Sequence, residues 1–339
     1  MSEKPTHILV IRLSAMGDVA MTVPVLRAFT QQYPRVKITI LTRVFFTPFF
    51  RDLENVSVFP ADLKGTHKGA FGLYKLSKEL KKLNIDAVAD LHNVLRTNFL
   101  KCFFLGKPFV QIDKGRADKK ALVTGKTFQQ LKTTHERYAD VFRKLGFTLD
   151  LSNPSFPKRV ALNPELQKTI GVDTKKWIGI APFAAHESKM YPLDLMEQVI
   201  ETLSKTHKIL LFGGGKNEVE TLDSFQNKYE NVINLAGTLS LNEELDVISN
   251  LDVMLSMDSG NAHMAAMLGI KVVTIWGVTH PFAGFAPFNQ PKDFALLSDR
   301  EQFPLIPTSI YGNKYPEGYQ DAAGSIAPEK VIKTIESIL

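Results

Sequence analysis

The sequence predicts an α/β protein built from two doubly wound, Rossmann-like domains. Three observations carry that prediction. Short Ile/Val-rich runs alternate with amphipathic stretches along most of the chain. The alternation fails once, between Asp150 and Pro164, where Pro154, Pro157 and Pro164 replace periodic apolar positions. The length of 339 residues exceeds one ordinary core and suits two domains of roughly 150 residues each.

In the first half, the apolar run Ile8–Leu13 reads as a strand with Arg12 inside it. Ser14-Ala15-Met16-Gly17-Asp18 breaks it, and Val19–Gln32 follows as a helix. Val36–Leu41 is the next strand after Pro34, so a right-handed βαβ unit and a parallel sheet are expected. Val56–Phe59 and Ala87–Leu91 read as further strands. Phe71–Leu83 and Thr134–Leu145 read as helices, the second ending at Gly146.

After the proline-rich linker the pattern restarts. Strands are expected at Trp177–Ala181, Lys208–Phe212, Val232–Leu235, Val253–Met257 and Val272–Trp276. Helices are expected at Pro192–Ser204, Asn217–Tyr229, Ser240–Asn250, Ser259–Leu268 and Pro328–Leu339. Residues 280–325, rich in Pro, Gly and Phe, read as ordered loop. The expected division is 1–160, 161–325 and a C-terminal helix over 326–339.

Composition narrows the class. Hydrophobic residues make up 44% of the chain, as in a soluble globular protein. The single cysteine, Cys102, rules out an intramolecular disulfide and a Cys-rich metal site; a buried, inert thiol is expected. Met1–His7 is polar and lacks the apolar region of a signal peptide. No stretch offers roughly 18 consecutive apolar residues. A cytosolic protein is expected, with contact at a membrane surface left open. The net charge is +6, and much of the excess lies between Lys101 and Lys144. That stretch is either a solvated basic face or a docking surface for something anionic. No nucleic-acid recognition motif accompanies it.

The strongest local signal is Met254–Ala266. An apolar strand ends in Asp258-Ser259-Gly260 and a helix opens. Asp258 or Ser259 can cap that helix, and Gly260 permits close approach, so free N–H groups and the dipole would face an anion such as a diphosphate. His263 follows one turn later on the same face, as a ligand contact or as a satisfied core histidine. Gly213-Gly214-Gly215 is a second place where backbone can approach a nucleotide, although the dinucleotide fingerprint fails at Glu218. Glu218 can bind ribose hydroxyls or simply complement the helix dipole. Asp18, at the carboxyl end of the first strand, is a candidate general base or an N-cap. Lys189, in the loop after Trp177–Ala181, is a phosphate-neutralising lysine or a surface one. No Asp-x-Asp pair occurs, and no metal site is expected.

Together these segments resemble glycosyltransferase family nine, the lipopolysaccharide heptosyltransferases. The likeness spans nearly the whole chain. It is most specific in Leu235-Ala236-Gly237-Thr238-Leu239-Ser240-Leu241-Asn242-Glu243, in Ser256–Ala266, and in Arg12–Val19. Ser259 stands where the family commonly has threonine, and Tyr191 where it commonly has tryptophan. The resemblance implies a GT-B architecture: an acceptor domain, a nucleotide-sugar domain, a cleft between them, and a last helix packing back across both. It implies Asp18 as catalytic base and Lys189 on the diphosphate. Glu218 would lie on the ribose, with Gly213 and Gly214 beside the nucleotide. Asp258, Ser259, Gly260 and His263 would surround the diphosphate end. The family's acceptors are anionic glycolipids, which gives Gly17, Arg96, Arg116, Lys119 and Lys120 an acceptor-binding role.

The resulting expectation is an inverting, metal-independent transferase. It would move a sugar, heptose from ADP-heptose by the resemblance, onto a lipopolysaccharide-core-type acceptor without a cofactor. It would work in the cytoplasm or at the inner face of the inner membrane. An NAD-dependent oxidoreductase and an inactive nucleotide-sugar-binding protein are the alternatives.

Overall fold

The computed structural model describes residues 4–171 and 173–339. Met1–Glu3, the start of the polar leader, lies outside the described residues. The chain forms two compact units. The first is Met1–Lys114 with Thr134–Ser155, and the second is Gly115–Thr133 with Phe156–Leu339. This division falls near the proline-rich linker. It differs from a simple cut at 160 because residues 115–133 group with the second unit.

The first unit contains β1 (His7–Ile11), α1 (Met16–Ala20), α2 (Thr22–Gln32), β2 (Lys37–Thr42), β3 (Val56–Pro60), α3 (Gly69–Lys81), β4 (Ala87–Asp90), α4 (Leu95–Lys101) and β5 (Phe109–Gln111). Its sheet is wholly parallel, in the order β3-β2-β1-β4-β5. The helix expected over Val19–Gln32 is two helices meeting at Met21. Pro24 explains the break, since it has no N–H to donate to the Ala20 carbonyl. Leu73, Leu76 and Leu80 of α3 join Leu100 of α4 over one face of this sheet. On α2, Phe29 stacks within 4.7 Å of Phe142 and 5.0 Å of Phe147. Phe142 lies on a helix that returns to this unit after an excursion.

That excursion begins with α5 (Arg116–Val123) and ends before α6 (Thr134–Lys144). Leu122 and Leu131 bury against Ala283, with Phe282, Phe285 and Ile310 packed around them. Leu131 N–H also donates to the Phe282 carbonyl at 2.9 Å. Such contacts join residues far apart in sequence, so local periodicity could not reveal them.

The second unit continues with α7 (Pro164–Ile170), β6 (Trp177–Ala181), α8 (Leu193–Ser204), β7 (Lys208–Leu211), α9 (Lys216–Lys228), β8 (Val232–Asn234), α10 (Leu241–Ile248), β9 (Val253–Met257), α11 (Gly260–Met267), β10 (Lys271–Trp276), β11 (Ala295–Leu297) and α12 (Pro328–Glu336). Its sheet is also all parallel, in the order β11-β10-β9-β6-β7-β8. Strand β11 lies inside the stretch read as loop, where Leu297 pairs with Trp276. Its three residues are too few to show a period. Helix α10 starts with a capping box: Ser240 N–H donates to Glu243 Oε2 at 2.9 Å, and Glu243 N–H donates back to Ser240 Oγ at 3.3 Å. Helix α12 packs on α8 and buries Val331 and Ile335 in the second unit's core.

Cys102 was expected to be buried, but it is exposed. It follows α4, whose inward face is supplied by Thr97 and Leu100 instead. Leu255, at the centre of β9, is fully buried in the second unit's core. Leu255→Ala should therefore destabilise the protein by about 2–5 kcal/mol, a loss read directly from urea unfolding.

Candidate functional site

In a doubly wound sheet the strand order reverses between two neighbours, and the loops leaving their carboxyl ends diverge to opposite faces. Ligands bind in the crevice this leaves. In the second unit those neighbours are β6 and β9. The loop after β6 carries Lys189, and the turn after β9 carries Asp258, Ser259 and Gly260.

These two loops meet. Lys189 Nζ pairs with Asp258 Oδ2 at 2.8 Å, with 13% and 9% of the side chains exposed. Thr279 Oγ1 donates to the same carboxylate oxygen at 2.9 Å. The lysine is therefore an enclosed cation with a defined position, not a surface lysine. Glycine makes room for it. A Cβ on Gly312 would fall 2.6 Å from Cγ and Cδ of Lys189, and this glycine has φ +81°. The backbone of the loop is held by Val278 N–H, which donates to the Ser188 carbonyl at 3.1 Å.

Neither candidate cap closes α11. Asp258 is engaged with Lys189 and Thr279. Ser259 occupies the cap position in extended conformation but makes no side-chain cap hydrogen bond. Its hydroxyl lies 3.0 Å from Ser256 Oγ. The first amides of α11 are thus left to other acceptors, at the positive end of the helix dipole. His263 is buried one turn into α11. Tyr191 is buried too, and its hydroxyl donates to the Ile326 carbonyl at 2.6 Å. Tyr191 is accordingly a packing residue of the second core.

The glycine loop after β7 is the neighbouring feature. Glu218 Oε2 accepts the Gly214 N–H at 2.7 Å, so the carboxylate folds over the start of α9. A Cβ on Gly213 would meet Glu218 Oε2 at 3.1 Å and Leu222 at 3.2 Å, whereas one on Gly214 would meet nothing within 4 Å. Gly214 is the open side of this loop.

In the first unit the corresponding neighbours are β1 and β4. Asp18 sits in the first turn of α1, three residues beyond the cap position held by Ala15, and is not itself the cap. Its Oδ2 accepts from Ala15 N–H at 3.3 Å and pairs with Arg12 at 2.7 Å. Arg12 is buried, and its other terminal nitrogen donates to the Leu91 carbonyl at 2.8 Å. The guanidinium therefore ties Asp18 to the end of β4. Gly17 precedes Asp18 on the same turn. Arg12 was legible as a charge inside an apolar run, yet nothing in the sequence identified its partner.

His92, just after β4, is a further residue that sequence reasoning did not select. It is buried, and its Nδ1 has no hydrogen-bond partner. Burial, with Arg12, Lys114 and Arg96 adding repulsion, lowers its pKa to about 3. Arg96 itself is exposed on α4. Arg116 and Lys120 are exposed on α5, in the second unit, and Lys119 stands 4.0 Å over the Phe285 ring. The basic candidates therefore divide between the two units.

Two outcomes follow from these contacts. Removing one partner of an enclosed ion pair strands the other, so Lys189→Met should cost about 3–5 kcal/mol in urea unfolding. His92 has a folded pKa far below its ordinary 6.5. Its contribution to stability is complete above pH about 6.5 and is lost as pH falls toward 3, because the unfolded chain takes up the proton first. The wild-type Tm should drop more steeply between pH 6.5 and 4 than that of His92→Asn, as followed by calorimetry.

Residues 73–304 match the family described as glycosyltransferase family 9 (heptosyltransferase). Lipopolysaccharide core heptosyltransferase OpsX of Haemophilus influenzae is 24% identical over 308 residues, which cover 85% of this chain and 83% of the relative. The crystal structure of a family 9 glycosyl transferase from Veillonella parvula superposes with a TM-score of 0.77 at 20% identity, covering 100% of this chain and 98% of that one. The E. coli heptosyltransferase WaaC, solved with ADP, gives a TM-score of 0.68 at 20% identity, covering 98% of this chain and 100% of that one. The fold is GT-B, with two Rossmann-like units in one chain. The family model covers more than half of the sequence, and the fold agrees with it: the chain belongs to glycosyltransferase family 9, the heptosyltransferases.

Proposed function

We propose that this glycosyltransferase moves heptose from ADP-heptose onto an anionic lipopolysaccharide-core acceptor, with inversion and without a metal ion. The observation that carries the reading is the Lys189–Asp258 pair beside the uncapped amides of α11. A lysine and a helix N-terminus supply the positive charge that a departing diphosphate needs. The ADP in the E. coli relative agrees with that choice of donor. Gly214 offers open backbone, and Glu218 a carboxylate, to the nucleoside.

In this reading Asp18 takes the proton from the acceptor hydroxyl, and the oxygen then attacks the anomeric carbon. The bond to the diphosphate breaks on the opposite side of the sugar, and ADP leaves. Arg12 positions the base by holding one of its oxygens. Arg96, Arg116, Lys119 and Lys120 are the cations assigned to the acceptor's negative groups.

Asp18→Asn keeps the size and hydrogen-bonding reach of the side chain and removes its basicity. It should lower kcat by about 10²–10⁴-fold. ADP affinity should stay at the parental value, whereas Tm should fall, because the buried Arg12 loses its charged partner. A variant with unchanged kcat would remove Asp18 from the mechanism. Activity measured after exhaustive chelation tests the metal-independent part, since a drop restored by added divalent cation would refute it.

A further inference from the structure

Helices α3 and α4 lie side by side on the first unit, and their outward faces are apolar where a surface should be polar. Phe71 is 81% exposed, Leu95 87% and Leu105, just beyond α4, 86%. Tyr74 follows Phe71 by three residues and Phe99 follows Leu95 by four, so each pair shares one helical face. Phe103 joins the two helices, with its ring 5.7 Å from Tyr74 and 5.5 Å from Phe99. The rings of Tyr74, Phe103 and Phe99 thus bridge the two helices. The exposed side chains of Phe71, Leu95 and Leu105 add apolar surface to the same pair of helices and the turn after α4, the kind of exposure that marks an interaction surface.

Its rim is cationic. Lys75, Lys78, Arg96 and Lys101 are all exposed on the same two helices. Lys78 Nζ sits 4.5 Å over the Tyr74 ring. The one carboxylate on these helices, Glu79, is taken up by His67 at 3.1 Å. A second copy of this chain would fit poorly, because a two-fold contact would bring like cations together. A surface that is apolar at its centre and negative at its headgroups fits well. Aromatic and aliphatic side chains enter the interface, and the lysines extend to the phosphates.

We propose that the α3–α4 face is a docking surface for an anionic phospholipid bilayer. It deepens the acceptor reading given above, since a lipid-anchored acceptor resides in such a surface. The supporting observations stand apart from the donor site. Among the described residues no helix is long and apolar enough to cross a membrane, so docking would be peripheral.

Cys102 makes the test direct. It is the only cysteine and is exposed just after α4, three residues beyond Phe99. The full chain, labelled there with an environment-sensitive thiol dye, is mixed with phosphatidylglycerol vesicles or with phosphatidylcholine vesicles. Emission should shift to the blue and the protein should co-sediment with the anionic vesicles. Binding to neutral ones should be at least about tenfold weaker, as expected for several cations near a charged headgroup layer. Phe71→Glu/Leu95→Glu should abolish co-sedimentation, and Lys75→Glu/Lys78→Glu should weaken it on anionic vesicles only. ADP affinity should be unchanged in both. Equal binding to both vesicle types, no binding to either, or variants that bind as well as the parent would overturn the proposal. So would a parental dimer that Phe71→Glu/Leu95→Glu converts to monomer. The vesicles contain no sugar acceptor, so a failed ADP titration would refute the donor assignment and leave the vesicle result standing.

Discussion

A wholly parallel sheet must be covered on both faces, and this one constraint orders both units. The strands at the middle of each sheet, β1 with β4 and β6 with β9, are almost entirely buried. The helices that cover them consume the faces. What remains open is the carboxyl edge, where the chain leaves each strand as a loop and the next helix begins with unsatisfied amides. Lys189, Asp258 and Gly214 in the second unit, and Arg12, Asp18 and His92 in the first, all stand at such edges. Charged side chains and unsatisfied backbone amides come together at these edges, which makes them the candidate sites of this architecture.

The two switch points hold their carboxylates in different ways. In the second unit the carboxylate Asp258 is surrounded by donors, Lys189 and Thr279, and lies beside a helix N-terminus. In the first unit a single guanidinium, Arg12, grips Asp18 and the Leu91 carbonyl at once. The first arrangement places a neutralised lysine, together with the positive end of a helix dipole, at the start of α11. The second links one carboxylate to the end of β4 through a single guanidinium, which leaves the other carboxylate oxygen free of that contact.

Much of this was legible from residue order. The apolar strands at Ile8, Ala87, Trp177 and Val253 stand out because central parallel strands are apolar on both faces. The helix read over Ser240–Asn250 is present as α10, and the Asp258-Ser259-Gly260 turn marks the start of α11, although neither Asp258 nor Ser259 caps it. Other parts were not legible, for identifiable reasons. Strands β5 and β11 have three residues each, which is too short to show a period. The return of residues 115–133 to the second unit rests on Leu122 and Leu131 meeting the residues around Phe282, a contact that no local pattern encodes. Cys102 was misplaced because residue type says only that cysteines are usually buried. The ion pairs were hidden for the same reason as the long-range packing. Lys189 and Asp258 each appeared as a candidate, but their mutual contact belongs to the fold.

That contact bears on how a diphosphate would be received. A lone lysine at the surface is fully hydrated, and binding an anion means stripping that water from it. Lys189 is already mostly out of water, with Asp258 in the position of its counter-ion. On the proposed donor reading, a diphosphate arriving at α11 exchanges one anionic partner for another, or shares the lysine with the one already there. Much of the cost of desolvating the cation has then been met on folding. The contact of Lys189 with Gly312 matters for the same reason, since a stem confined against a glycine has little rotamer freedom left to lose. A group so fixed can meet charge that develops only as the sugar–phosphate bond breaks, without reorganising at that moment. On the donor reading proposed above, Asp258 does more than balance a charge, since by holding Lys189 in place it would prepare the cation for the leaving group.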